Sequence, residues 1–175
     1  NVACALRKLD LDTVFIGCIG DDNFGKGFRK LFNDLGVNID FLQTSEEFPT
    51  RIVQVKCDDS GDRSFSGFKN LRNDFFADEI LDKAKIESTI VDIEKLFLQT
   101  NFIVTGTILL ASKRSSEALS FLLDYAQDYR IKIVIDVNWR EVFWDNSQLM
   151  KNVPMIERIL KIKHFLEYAD VLKLA

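Results

Sequence analysis

Glycine disappears from this chain after Gly106, all eight glycines lying at or before that position. A glycine-rich loop that cradles phosphate oxygens on backbone N–H groups is therefore excluded from the stretch that follows. Nor do Gly17, Gly20 and Gly25 make a dinucleotide fingerprint, because the G-x-G-x-x-G spacing is absent. Backbone geometry is the role they suggest. Histidine is reduced to His164, and the three cysteines, Cys4, Cys18 and Cys57, are odd in number and widely spaced. They show no zinc pattern, and each lies in or beside an apolar run, so they read as buried thiols of a reducing compartment. No apolar run approaches the roughly 18–20 residues that a membrane helix needs. The N-terminus lacks the basic, apolar and small-residue order of a secretion signal. Positive charge is in deficit as well: a net charge of -4 and a pI near 5.1 argue against a nucleic-acid surface, which clusters Lys and Arg against phosphates.

What is present is enough for one domain-sized core: 175 residues, 47% hydrophobic, with 15 phenylalanines. Asn1 to Leu9 places Val2, Ala5, Leu6 and Leu9 on one helical face, and Thr13 to Gly17 reads as a buried strand. Asp21 or Asp22 can cap a helix carrying Phe24, Phe28, Leu31, Phe32 and Leu35, with Gly36 as its stop. Ile39 to Gln43 supplies the next strand. The pattern then changes. Arg51 to Cys57 and Arg63 to Phe68 alternate like strands around Asp58-Asp59-Ser60-Gly61-Asp62, a hairpin signal in a chain that is otherwise strand, helix, strand. Such an insertion suggests a flap, spanning about 50–70, standing off a parallel sheet. Asp78 to Gln99 is helical with interruptions, Asn101 to Thr105 is a strand, and Ser112 can cap a helix running to about Tyr129. Pro154 falls in the first turn of a helix ending near Tyr168, and Val171 to Ala175 reads as a closing strand. Beginning in a helix and stopping on a strand, the chain reads as a piece of a larger α/β domain, cut at both ends.

The most informative stretch is Ile131 to Arg140, I-K-I-V-I-D-V-N-W-R. A β-branched run turns abruptly polar at Asp136, Asn138 and Arg140, and in parallel sheets the C-terminal strand ends open onto the ligand crevice. Arg140 brings a planar five-donor fork suited to hydroxyls, carboxylates or phosphates, with Asp136 and Asn138 as acceptors or orienters. The alternative is that Asp136 and Asn138 only close the strand and cap its loop. Gly106, ending the preceding strand, either lets a ligand approach the backbone closely or serves a plain turn.

Two stretches together resemble the PfkB family of carbohydrate kinases. N-V-A-C-A-L-R-K-L-D followed by T-V-F-I-G-C-I-G-D-D-N-F-G is similar to that family's N-terminal signature, with Asn1, Ala3 and Gly20 at its recurring positions. Asp136-Val137-Asn138-Trp139-Arg140, with Phe143-Trp144 soon after, resembles the D-x-N-x-R loop of fructokinase-like members. The hairpin with G-D-R-x-F at Gly61 to Phe65 sits where the family carries its lid. The resemblance implies an α/β fold: a three-layer α/β/α, mostly parallel sheet of ribokinase-like type, partial here, with a small antiparallel β lid.

It also implies ATP-dependent phosphorylation of a sugar hydroxyl by the full-length parent, with ATP and Mg2+ as cofactors and a small-molecule sugar as ligand. Asn1, Gly106, Asn138 and Arg140 then line the sugar side, with Phe68 and Lys69 closing over it from the lid; the alternatives are that Asn1 only caps the first helix and that Phe68 and Lys69 are simply the hairpin's two faces. No catalytic or metal-binding residue is expected within these 175 positions, because the magnesium motif and the G-A-G-D segment with its catalytic aspartate and anion hole are not among them. In isolation the chain is therefore expected to transfer no phosphate. Two departures stand out: Asp10 occupies a turn position where the family has Gly or Ser, and Lys69 stands where many fructokinases have an Arg able to grip bidentately. The resemblance further implies a homodimer through the lid, while the charge and the short apolar runs speak against a nucleic-acid or membrane partner and the cysteines favour an intracellular location, with cytoplasm and plastid both open. A second class, a catalytically silent kinase-like binding or assembly protein, is also known in the family, and the retained D-x-N-x-R favours the enzyme.

Overall fold

The computed structural model describes residues 1–69, 75–145, 147 and 150–174. The chain divides into two compact units, Asn1–Leu81 and Asp82–Ala175.

The first unit opens with α1 (Val2–Lys8), followed by β1 (Gly17–Gly20), α2 (Asn23–Leu35) and β2 (Leu42–Ser45). Strands β1 and β2 pair in parallel from Gly17↔Leu42 to Gly20↔Ser45. The expected strand at Thr13 to Gly17 contributes one bridge, Val14 to Asn38, before the ladder proper begins at Gly17. Helix α2 starts where Asp22 accepts a hydrogen bond from Gly25 N–H and stops at Gly36, whose φ of 72° is the left-handed end state that glycine adopts readily. Val37 N–H then reaches back to the Phe32 carbonyl, and Ile19, Phe32, Val37 and Leu42 form a buried cluster. Of the apolar face expected on α2, only Phe32 is buried; Phe24, Phe28 and Leu31 are exposed. On α1 the residues against the cluster are Ala3 and Cys4 rather than the expected Val2 and Leu9, which are exposed.

The hairpin follows as β3 (Ile52–Cys57) and β4 (Arg63–Lys69), antiparallel, with a register shift between Gln54 and Val55. A 3-10 turn at Ala77–Ile80 closes the unit. Asn70 and Ala175, the last residues of the expected lid and of the expected closing strand, lie outside the described residues.

The second unit runs α3 (Lys83–Ser88), α4 (Ile90–Phe97), β5 (Phe102–Gly106), a 3-10 turn at Ile108–Ala111, α5 (Lys113–Asp128) and β6 (Lys132–Asp136). It ends with α6 (Glu141–Asp145), α7 (Met155–Phe165) and β7 (Val171–Lys173). The order β5-β6-β7 is parallel throughout. Ala118, Leu119, Leu122, Leu123 and Ala126 of α5 are buried, as are Ile133 and Ile135 of β6, and the helix packs on that strand. Pro154 is the cap of α7, one place ahead of the expected first turn, because its fixed φ suits the helix entry and its missing N–H loses nothing there. Among the described residues no helix is long and apolar enough to cross a membrane. Cys4, Cys18 and Cys57 are free thiols; Cys18 is buried and Cys4 half-buried, but Cys57 is exposed, since it ends β3 where the hairpin reaches solvent.

Candidate substrate site

Three of the expected site residues lie at or just past the ends of adjacent strands: Gly106 ends β5, and Asn138 and Arg140 follow Asp136, which ends β6. Gly106 pairs in register with Asp136. A Cβ on Gly106 would sit 3.1 Å from the Asp136 carbonyl oxygen, so the absence of a side chain lets the two strand ends lie close. Thr107, fully buried, donates its hydroxyl to the Val137 carbonyl and ties the loop after β5 to the loop after β6. Val137 N–H donates to the Lys173 carbonyl at 3.0 Å, and Lys173 Nζ lies 2.8 Å from Asp136 Oδ2. The other carboxylate oxygen, Oδ1, is buried without a hydrogen-bond partner among the described residues. A buried acceptor of that kind is costly unless a donor arrives.

Asn138 turns the loop with a φ of 37°, a region that asparagine tolerates better than most residues. Arg140 is half-buried, donates from Nη1 to the Trp139 carbonyl at 2.9 Å, and accepts on its own carbonyl from Phe143 N–H as α6 begins. Trp139 and Trp144 stack with ring centroids 5.1 Å apart, Trp144 being fully buried. The D-x-N-x-R segment is therefore held at both ends: by the β6–β7 pairing before it, and by the α6 turn and a tryptophan stack after it. The part played by Thr107, Lys173 and the Trp139–Trp144 stack was not read from the sequence. Only the adjacency of Thr107 to Gly106 and the nearby F-W pair could have signalled it.

In the first unit, Asn1 caps α1 through its carbonyl, which accepts from Ala5 N–H at 2.9 Å, and its side chain is exposed. Phe68 and Lys69 occupy the last positions of β4, opposite Val53 and Ile52. Lys69 is exposed; Phe68 is half-buried, its ring edge-on to Phe76 at 5.5 Å and 4.7 Å from the Arg51 guanidinium carbon. The G-C-I-G-D-D-N-F-G segment forms a knot beneath the hairpin. Gly20 N–H donates to Thr50 Oγ1 at 2.9 Å, Thr50 N–H donates to Asp22 Oδ2 at 2.7 Å, and Gly25 N–H donates to Asp22 Oδ1 at 2.8 Å. Partial burial raises the Asp22 carboxyl, but the bonds from Gly25 and Thr50 outweigh it and hold the group below its ordinary value. In Glu79, burial dominates and pushes the carboxyl up, against the pull of the Arg51 guanidinium. His164 is exposed on α7, its Nδ1 3.2 Å from Glu167 Oε2.

Comparison with known proteins places these features in a family. The pattern described as pfkB family carbohydrate kinase matches residues 1–174. A 5-dehydro-2-deoxygluconokinase of Photobacterium profundum is 30% identical over 148 residues, 82% of this chain and 40% of that protein. A probable fructokinase-5 of Arabidopsis thaliana is 26% identical over 175 residues, all of this chain and 48% of that protein. Among solved structures, fructokinase from Xylella fastidiosa superposes with a TM-score of 0.78 at 23% identity, covering 98% of this chain and 47% of the other. Fructokinase from Vibrio cholerae O395, solved with fructose, ADP and calcium, gives 0.75 at 21% identity over 99% and 50%. The chain thus spans about half the length of the relatives it matches. The expected α/β class, mostly parallel strands with a small antiparallel hairpin, is the one observed.

Proposed function

The chain belongs to the pfkB family of carbohydrate kinases, and we propose on that premise that it is the sugar-side part of an enzyme that phosphorylates a sugar hydroxyl with ATP, fructose being the favoured substrate. The observation that supports the reading is that Gly106 ends β5 beside Asp136, the end of β6, with Asn138 and Arg140 in the loop that follows, the place where open α/β sheets receive ligands. Arg140 would grip sugar hydroxyls with its planar fork, Asn138 would orient them with its amide, and the bare backbone at Gly106 would admit the ring closely. For the first unit, taken by itself, the sugar-facing role of Asn1, Phe68 and Lys69 is the one the family resemblance implies.

ATP and Mg2+ are the cofactors of the whole enzyme in this reading. Bound together, they supply the phosphoryl group and the charge that offsets its transfer. Among the described residues no three His, Cys, Asp or Glu side chains gather as a metal site, and no glycine follows Gly106. We assign no transfer step to the residues present, and this chain alone should release no ADP. The three free cysteines suit a reducing, intracellular compartment. Val55 and Phe65, register partners exposed at 46% and 38%, offer an apolar face for pairing of two lids, which sedimentation would detect.

A coupled ADP-release assay, run on a protein joining this chain to the family's G-x-G-D segment, tests the proposal over fructose, ribose, adenosine, 2-keto-3-deoxygluconate and 5-dehydro-2-deoxygluconate. Turnover fastest on fructose is expected. Absence of turnover on every sugar would overturn the kinase reading in favour of a silent binding or assembly protein.

A further inference from the structure

The hairpin is held far more firmly at one end than at the other. Three successive residues at its base are each tied to the body of the first unit. The Pro49 carbonyl accepts from Ala77 N–H at 2.9 Å. Thr50 is bonded through its N–H to Asp22 and through its hydroxyl to Gly20. Arg51 Nε reaches Asp78 Oδ1 and Oδ2 at 3.1 and 3.0 Å, and its Nη2 lies 3.2 Å from Glu79 Oε2. The Arg51 guanidinium carbon also sits between two rings, 4.7 Å from Phe68 and 4.5 Å from Phe76. Its side chain is 11% exposed. Because Phe68 belongs to β4, one side chain clamps both strands to the 3-10 turn at Ala77–Ile80.

Past the register shift at Gln54/Val55 the character changes. Val55, Lys56 and Cys57 are exposed, whereas Ile52, Val53 and Gln54 are half-buried. Opposite Gln54 stands Gly67 with a φ of 135°, a backbone state that side chains rarely adopt, although a Cβ there would meet nothing within 4 Å. Glycine is needed at this position for its dihedral freedom and not for space. The far turn is self-contained, Asp58 Oδ1 accepting from Ser60 N–H, Ser60 Oγ and Asp62 N–H.

We propose that Arg51 is a positioning residue that fixes the root of the hairpin and the orientation of Phe68, so that the lid pivots at the Gly67 bulge and only its tip moves. The consequence for sugar, that Phe68 and Lys69 are presented at a constant place while the tip closes, rests on the sugar-kinase reading.

Amide hydrogen exchange on the chain tests the division without any ligand. Root amides at positions 52–54 and 68–69 should exchange at least about tenfold more slowly than tip amides at 55–65, because local opening follows local anchoring. Arg51→Met should bring the root to the tip's rate, and Arg51→Lys, which keeps a charge for Asp78 but loses the planar face, should recover part of the difference. Gly67→Val should alter exchange in the tip while leaving the root protected. It decides the matter together with the wild-type gradient should Arg51→Met not fold. Uniform protection along the hairpin, or a root indifferent to Arg51→Met, would overturn the proposal. Fructose titration separates the two readings: weaker binding by Arg51→Met than by wild type supports the positioning role. Wild-type protein that ignores fructose and the other four sugars yet keeps the exchange gradient overturns the kinase reading alone.

Discussion

Two glycines of one helix should respond to alanine with opposite signs. A Cβ on Gly25 would stand 2.0 Å from the Gly20 carbonyl oxygen and 3.1 Å from Thr50 Oγ1, whereas an ordinary carbon–oxygen contact is no closer than about 3.3 Å. Either α2 retreats from β1 by more than an ångström or the Gly20 carbonyl swings away, and both movements disturb the bonds at Asp22 and Thr50. Overpacking of this kind costs about 1–3 kcal/mol. Weakening of the Asp22 cap costs about 1 kcal/mol, and loss of the Gly20–Thr50 bond about 1 kcal/mol more. Gly25→Ala should therefore lose about 3–5 kcal/mol, a large part of the roughly 5–15 kcal/mol that holds a domain folded. In a chain of this size that is a fall in Tm of about 10 °C. Gly27, two positions on, has nothing within 4 Å of its would-be Cβ, so Gly27→Ala should instead gain about 0.5–1 kcal/mol from the unfolded state's lost freedom. Urea unfolding followed by far-UV circular dichroism measures both. A Gly25→Ala protein within about 1 kcal/mol of its parent, or a reversed order of the two variants, would refute the reasoning.

Three further outcomes follow from single residues. Asp10 adopts a φ of 58°, so Asp10→Gly should raise stability by about 1 kcal/mol in the same assay, a side chain in the left-handed region being strained by that order. Asp22 titrates below its ordinary value of 3.8. Its contribution is thus present above that value and lost as pH falls through the lower folded one, so Asp22→Asn should flatten the acid limb of a stability–pH curve and leave the neutral region's slope unchanged. Thr107→Val should cost about 1–3 kcal/mol by leaving the Val137 carbonyl unpaired in a buried loop; an unchanged melting curve would show that the hydroxyl is dispensable.

Where local pattern governs, the sequence was easily read. The β-branched run before Asp136 became β6 within one residue of its expected start, and α2 begins and ends on the side chains that cap helices, Asp22 and Gly36. Pairing partners decided the rest. The strand expected at Thr13–Gly17 moved to Gly17–Gly20, and that at Ile39–Gln43 to Leu42–Ser45. Glycine and polar residues there are poor strand formers, and they are held by the parallel register between them. Helix α6, five residues long, has too little periodicity to announce itself. The hairpin was visible, but its clamp was not, since Arg51, Phe68, Phe76 and Glu79 are scattered over some thirty positions and meet only in space. For the candidate site, what was legible is position: Gly106 ends β5, and Asn138 and Arg140 follow the end of β6, as the polar turn after Ile135 suggested.

Titration calorimetry of fructose into the chain, alongside Arg140→Ala, bears most directly on the claim that this is the sugar-side part of a carbohydrate kinase. The account predicts saturable binding that weakens about tenfold or more in Arg140→Ala, as expected for the loss of a charge-assisted hydrogen bond, with the melting temperature unchanged. Equal binding by both proteins would remove Arg140 from the site, and no binding of fructose or of the other four sugars by either would contradict the claim.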